Sequence, residues 1–103
     1  RRRYDTLSAS FLLMLRQIIE RCQSAHVPLS FCGEDAGRPV EALTLAALGI
    51  HRLSMRPASI GPVKHLIRQI SLQDLRAVID EALDSGIPNL RRPVTEWLAR
   101  NQH

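Results

Sequence analysis

The sequence has few cysteines, few aromatic residues and no long apolar run. Its 103 residues include 2 cysteines, 2 phenylalanines, 1 tyrosine and 1 tryptophan. Two cysteines are too few for a disulfide framework and no secretory signal is apparent, so we expect a reducing, cytoplasmic compartment. The longest apolar run, residues 42–50, is interrupted by Thr44 and Gly49. A membrane-spanning helix needs about 20 apolar residues, so we expect no membrane partner.

A cluster of three arginines at the N terminus accounts for much of the excess positive charge of the chain. The formal net charge is +4, and Arg1, Arg2 and Arg3 supply three of those charges. Surfaces that bind nucleic acid gather lysines and arginines or interleave them with stacking aromatic rings. The few aromatic residues of this chain lie outside any basic cluster. We therefore expect no nucleic-acid partner.

The apolar pattern predicts five helices and two short strands within one domain. The predicted helices span 9–25, 39–48, 60–69, 72–84 and 90–101, and the predicted strands span 27–32 and 50–55. Ser8, Ser59 and Ser71 are suited to cap helices, because a serine hydroxyl accepts a hydrogen bond from an amide of the first turn. Gly49 is suited to end the second helix. One buried face is predicted for the first helix, from apolar residues spaced three and four apart: Phe11, Leu12, Leu15, Ile18, Ile19 and Cys22.

The two predicted strands are separated by a helix, which favours a parallel pairing and an α/β fold class. A parallel sheet of only two strands has unpaired edges and is a poor isolated structure. The pattern is therefore typical of the end of a larger α/β sheet or barrel. An isolated piece of this kind is expected to self-associate.

Ligands of α/β proteins gather at the carboxyl ends of the strands, where the chain places Cys32 and Gly33. A thiol can act as nucleophile or proton donor, and a glycine lets a substrate approach the backbone. His51 begins the next strand at its opposite end, which argues against a cysteine–histidine pair. The alternative is that Cys32 is buried and inert.

Other residues give weaker indications of a site. Glu34 and Asp35 could bind a hard cation, although adjacent acids in a loop are more often only solvated. Ser59 could help a helix N-terminus to hold an anion, but a plain cap is favoured. The four histidines are scattered and lack the spacing of a metal-binding helix.

The segment 31–39, Phe-Cys-Gly-Glu-Asp-Ala-Gly-Arg-Pro, resembles the phosphoenolpyruvate-utilising enzymes, notably enzyme I of the phosphotransferase system and its nitrogen-related relatives. Shorter matches follow the same order along the chain, at residues 4–5 before 7–8, and then at 47–49, 53–55, 57–60, 63–64 and 66–68. The resemblance implies the C-terminal fragment of a (β/α)₈ TIM barrel. Residues 1–70 would form the last units of the phosphoenolpyruvate-binding barrel, and residues 71–103 a helical extension of the same domain.

The resemblance also implies a reaction, in which a phosphoryl group moves from phosphoenolpyruvate to a histidine of another domain. Cys32 would then donate a proton to the pyruvate enolate, since a thiol with a pKa of about 8.5 is protonated at neutral pH. Gly33 would lie against the substrate. The implied cofactor is Mg²⁺, with ligands upstream of this chain. The implied partners are phosphoenolpyruvate or pyruvate, a carrier protein phosphorylated on histidine, and a second copy in a homodimer.

Two alternatives remain open at this point. The segment could end a related barrel that uses ATP or water chemistry, such as pyruvate phosphate dikinase or phosphoenolpyruvate synthase. It could also be a non-catalytic interaction module whose apolar helices dock on a partner. If the chain is the end of a phosphoenolpyruvate–protein phosphotransferase, the fragment alone is expected to be inactive.

Overall fold

Helices and strands alternate along the first half of the chain, and three helices follow. A computed structural model describes residues 5–32 and 37–101, with only the backbone of Cys32. In chain order the elements are α1 (Ala9–Ser24), β1 (Ser30–Cys32), α2 (Pro39–Leu48), β2 (Arg52–Ser54), α3 (Pro57–Gln69), α4 (Leu72–Asp84) and α5 (Arg91–Asn101). The predicted order and type of the elements are confirmed, and the strands are shorter than predicted.

The two strands pair in parallel, as predicted from the helix between them. Ser30 lies opposite Arg52 and Cys32 lies opposite Ser54, so the strands run in register over their full length. The described residues contain no other sheet, and the fold seen here is a mostly helical α/β segment. Both outer edges of this sheet lack a described partner strand.

Helix α2 lies at the centre of the core. It packs against α3, α4 and α5, and its apolar composition explains why it is buried around most of its circumference. Leu43, Leu45 and Leu48 are fully buried. Burying a leucine side chain contributes about 1.5–3 kcal/mol, so this helix contributes a large part of the folding free energy.

Helix α1 buries a narrower face than the sequence predicts. Leu12, Leu15 and Ile19 enter the core, whereas Ile18 is 40% exposed and Cys22 is half-buried. The prediction that Ile18 belongs to the buried face is wrong, because positions 12, 15 and 19 already form the stripe that faces the core. Ile18 therefore lies on a second, outer apolar stripe with Met14.

The helix ends follow their predicted caps with one exception. Ser8 Oγ accepts from Phe11 N at 3.4 Å, and Ser71 Oγ accepts from Asp74 N at 3.2 Å. Ser59 is not a cap, because α3 begins at Pro57 and its N-cap is Arg56. Proline is favoured in the first turn because its φ is already helical and its missing N–H is not needed there. Helix α3 therefore begins three residues earlier than predicted, and closer to β2.

Candidate functional site at the carboxyl edge of the sheet

The candidate site is the edge at which β1 and β2 end side by side. The register places the backbone of Cys32 next to Ser54, so both strands end at the same level. His51 immediately precedes Arg52, whose partner is Ser30, and therefore lies at the opposite end of the sheet. The prediction that the strands separate Cys32 from His51 is confirmed at the level of the backbone.

The connections that leave the two strands come together at this edge. A Cβ atom built on Gly37, just before α2, would lie 2.9 Å from Ser59 Oγ and 3.5 Å from Met55 Cβ. Real Cβ atoms essentially never approach another atom closer than 3.0 Å, so the lack of a side chain at position 37 permits this contact. The start of α2 therefore packs directly on the first turn of α3.

Both helices that leave this edge begin with the dipeptide Arg-Pro. Arg38 is the N-cap of α2 and Arg56 is the N-cap of α3, and neither makes a capping hydrogen bond with its side chain, because a guanidinium is a donor only. Helix N-termini carry a partial positive charge, which favours negative groups near them. The edge therefore combines two strand ends with two helix N-termini, an arrangement compatible with an anionic substrate.

The predicted site residues themselves fall at the limit of the described structure. The backbone of Cys32 is placed at the end of β1, as predicted, while its side chain and the whole of Gly33 lie outside the described residues. Glu34 and Asp35, the candidate cation ligands, also lie outside them. The roles of these four residues remain predictions.

No metal centre occurs among the described residues. Residues 5–31 and 37–101 contain no group of three or more histidine, cysteine or acidic side chains that could hold an ion. The described part of the chain therefore does not fit a Mg²⁺ site by itself. Likewise, no helix of residues 5–32 and 37–101 is long and apolar enough to cross a membrane.

A charged cluster near the start of α2 was not predicted from the sequence. Arg91 Nη2 donates to Asp5 Oδ1 at 2.7 Å and to Glu41 Oε2 at 2.9 Å, and Asn89 Nδ2 donates to Asp5 Oδ2 at 3.2 Å. The Glu41 side chain is only 2% exposed. The hydrogen bond from Arg91 is the main cause that lowers the pKa of Asp5 to about 2. The signal in the sequence was Glu41, which is the only charged residue of α2.

The sequence is similar to a known protein family and to several known proteins. The model of a family described as "PEP-utilising enzyme, PEP-binding domain" matches residues 1–72. A phosphoenolpyruvate-protein phosphotransferase of Haemophilus influenzae is 31% identical over 99 residues, covering 95% of this chain and 17% of that protein. A multiphosphoryl transfer protein of Xanthomonas campestris is 35% identical over 79 residues, covering 77% of this chain and 9% of that protein.

A third relative also aligns with nearly the whole of this chain but over only a small part of its own length. The Salmonella typhimurium protein described as "Phosphoenolpyruvate-dependent phosphotransferase system" is 31% identical over 98 residues, which are 94% of this chain and 13% of that protein. This chain thus spans less than a fifth of the length of the relatives it matches. The family model, which ends at residue 72, covers α1, α2, α3 and the two strands.

Proposed function

This chain belongs to the PEP-utilising enzymes, through their PEP-binding domain, and on that premise we propose that it is part of a phosphoenolpyruvate–protein phosphotransferase. The observation that carries the proposal is the family match over residues 1–72, which agrees with the phosphotransferase names of relatives that align with nearly the whole chain. The phosphoryl group of phosphoenolpyruvate would be transferred to a histidine of another domain.

The proposed architecture is the end of a (β/α)₈ barrel, in which β1 and β2 are the seventh and eighth strands. The parallel register, the helix between the strands and the two sheet edges that lack a described partner strand support this assignment. In such barrels the substrate binds at the carboxyl ends of the strands. Residues 1–70 would complete the barrel, and residues 71–103 would pack on it as its helical extension.

The proposed chemical role of Cys32 is to protonate the pyruvate enolate. Transfer of the phosphoryl group breaks the bond between phosphorus and the enol oxygen and forms a bond between phosphorus and the acceptor nitrogen. The released enolate takes a proton at its methylene carbon from the Cys32 thiol, giving pyruvate and a thiolate that regains its proton from solvent. The location of the Cys32 backbone at a strand end, beside Ser54, supports this role.

The remaining parts of the site would come from outside the described residues. Gly33 would let the substrate lie against the backbone after β1. By the likeness to its family, Mg²⁺ would be bound by carboxylates upstream of this chain. The proposed partners are phosphoenolpyruvate, a carrier protein phosphorylated on histidine, and a second copy of the enzyme.

Substitution of Cys32 tests the proposed proton transfer in the polypeptide encoded by the complete gene. Exchange of the pyruvate methyl protons for deuterium, followed by NMR in D₂O, reports proton transfer at the relevant carbon. Cys32→Ala should slow this exchange by about 100-fold or more, because a general acid typically contributes 10²–10⁴-fold. Turnover of phosphoenolpyruvate should fall as well.

Cys22→Ala is the matched control, because Cys22 is a half-buried thiol on α1 and has no role in the proposal. This variant should exchange the methyl protons at the wild-type rate. An unchanged exchange rate in Cys32→Ala would remove Cys32 from the acid role. A complete gene without an upstream histidine-bearing domain would instead argue against the phosphotransferase itself.

A further inference from the structure

Positive charge is unevenly distributed along the chain in a way that the proposed reaction does not explain. Residues 42–73 contain four cations and two histidines but no aspartate or glutamate. The rest of the chain has ten lysines and arginines, three of them at residues 1–3, and ten acids, so its formal charges sum to zero. Protein surfaces ordinarily intersperse both signs, which makes a stretch of 32 residues without any acid unusual.

The four cations are exposed and lie on β2, at the N-cap of α3 and on α3 itself. They are Arg52, Arg56, Lys64 and Arg68. None of them lies within 4 Å of a carboxylate among the described residues. By contrast, Arg16, Arg76, Arg91 and Arg92 each pair with an acid.

Lys64 and Arg68 share one exposed face of α3. They are four residues apart, which places them on adjacent turns of the same side, while Val63 is buried on the opposite side. Pro57 and Gly61 continue this stripe toward the N-terminus and are also exposed. We call the exposed stripe formed by Pro57, Gly61, Lys64 and Arg68 the α3 basic face. Pro57 and Gly61 have no long side chain, so a large partner can approach Lys64 and Arg68 closely.

We propose that the α3 basic face docks an acidic surface of a protein. Two like charges without an acidic partner among residues 5–32 and 37–101 attract a complementary partner and guide its approach. Residues 42–73 contain no phenylalanine, tyrosine or tryptophan, so the stacking contacts of single-stranded nucleic acid are unavailable. Ile60 is 40% exposed beside the stripe and adds an apolar contact of the kind found in protein interfaces. The partner is therefore a carboxylate-rich protein surface.

A binding titration of the full chain with labelled poly-L-glutamate tests the proposal. The variant K64Q/R68Q should bind this probe about tenfold more weakly than the wild type at low salt. The control R92Q/R100Q removes the same number of charges from exposed positions on α5, and it should weaken binding less than about twofold. The charge-preserving variant K64R/R68K should bind like the wild type.

Three results would overturn the proposal. Equal weakening of binding by K64Q/R68Q and R92Q/R100Q would show that net charge, and not this face, attracts the probe. Wild-type binding by K64Q/R68Q would remove the face from the interaction. If binding of a labelled DNA duplex depended on Lys64 and Arg68 while binding of poly-L-glutamate did not, the partner would be a nucleic acid.

Discussion

Arg91 joins two carboxylates that lie far apart in the sequence. Its guanidinium contacts Asp5 at the start of the described chain and Glu41 in the first turn of α2. Asp5 raises the pKa of Arg91, and Arg91 lowers the pKa of Asp5, because each stabilises the charged form of the other. Glu41 would be a costly buried charge without this partner, since its side chain is only 2% exposed.

Substitution of Asp5 should reduce stability in a pH-dependent manner. The pKa of Asp5 is lowered from 3.8 to about 2 in the folded protein, so its ionised form stabilises the fold above pH 4. That contribution is lost as pH falls from about 4 to about 2. Because one third of the side chain is exposed, solvent screens the interaction and we expect Asp5→Asn to lower the free energy of unfolding by about 1 kcal/mol at pH 7.

Urea denaturation of both proteins at pH 7 and near pH 2 measures this difference. The difference between wild type and Asp5→Asn should nearly vanish at the lower pH. Asp84→Asn is a suitable control, because Asp84 is 75% exposed and only 4.0 Å from Arg16 Nη2. A stability difference for Asp5→Asn that is the same at both pH values would contradict the linkage between Asp5 ionisation and folding.

Sequence reasoning identified the strand-end residues but not this cluster. Cys32 follows from a local pattern, because a thiol before a glycine at the end of an apolar strand is visible within a few residues. Arg91 and Glu41 are separated by 50 residues. Periodicity describes which side of a helix is apolar, but it does not show which distant charge meets the one acid on that helix.

Among the elements, the end of α2 depends on a single glycine. Gly49 has φ = 117°, a left-handed conformation that residues with a Cβ atom rarely adopt. A Cβ atom there would also lie 2.9 Å from Gln23 Nε2 and 3.2 Å from Ile19 Cγ2. The glycine therefore ends α2 and lets the chain pass close to α1.

Gly49→Ala should destabilise the fold more than an alanine at another left-handed glycine. Gly86 also has a positive φ, of 82°, but no atom lies within 4 Å of a Cβ built there. We expect Gly86→Ala to lower the free energy of unfolding by about 1 kcal/mol through backbone strain, and Gly49→Ala by about 2–3 kcal/mol through strain and close contact. Chemical denaturation compares the free energies of unfolding of the two variants directly. Equal losses of stability would show that the close contact with α1 does not contribute to the effect of Gly49→Ala.

The sequence predicted the elements better than it predicted their limits. Long apolar periodicity gave α1, α2, α4 and α5 within one or two residues. The start of α3 was misplaced because Ser59 is a strong capping residue, whereas Pro57 determines where the helix begins. The extent of β1 and β2 could not be predicted, since strand length depends on the partner strand and not on local composition.

At the scale of the whole molecule, the two-stranded sheet leaves surface uncovered. Each strand has three residues, and their outer edges have no described partner. Met14 and Ile18 lie one turn apart on the outer side of α1 and are 51% and 40% exposed. Unpaired strand edges and exposed apolar side chains favour association.

The 103-residue chain should therefore self-associate at micromolar concentration. Sedimentation velocity should show a sedimentation coefficient that rises with protein concentration. Met14→Gln/Ile18→Gln should shift the equilibrium toward the monomer, whereas Ile87→Gln, at a residue that is 37% exposed, should not. A concentration-independent monomer would show that neither the sheet edge nor the outer face of α1 needs a partner.

The contacts around Asp5 also bind the beginning of the described chain to its last helix. Ala9 N donates to the oxygen of Pro88, Leu90 N donates to the oxygen of Leu7, and Ser8 pairs with Asn89 in an antiparallel bridge. Unfolding of residues 7–9 would therefore break the hydrogen bonds that hold residues 88–90, and the reverse is also true. Helix α5 lies outside residues 1–72, which the family model matches. Its start nevertheless holds residues 5–9, near the beginning of the matched region, in place.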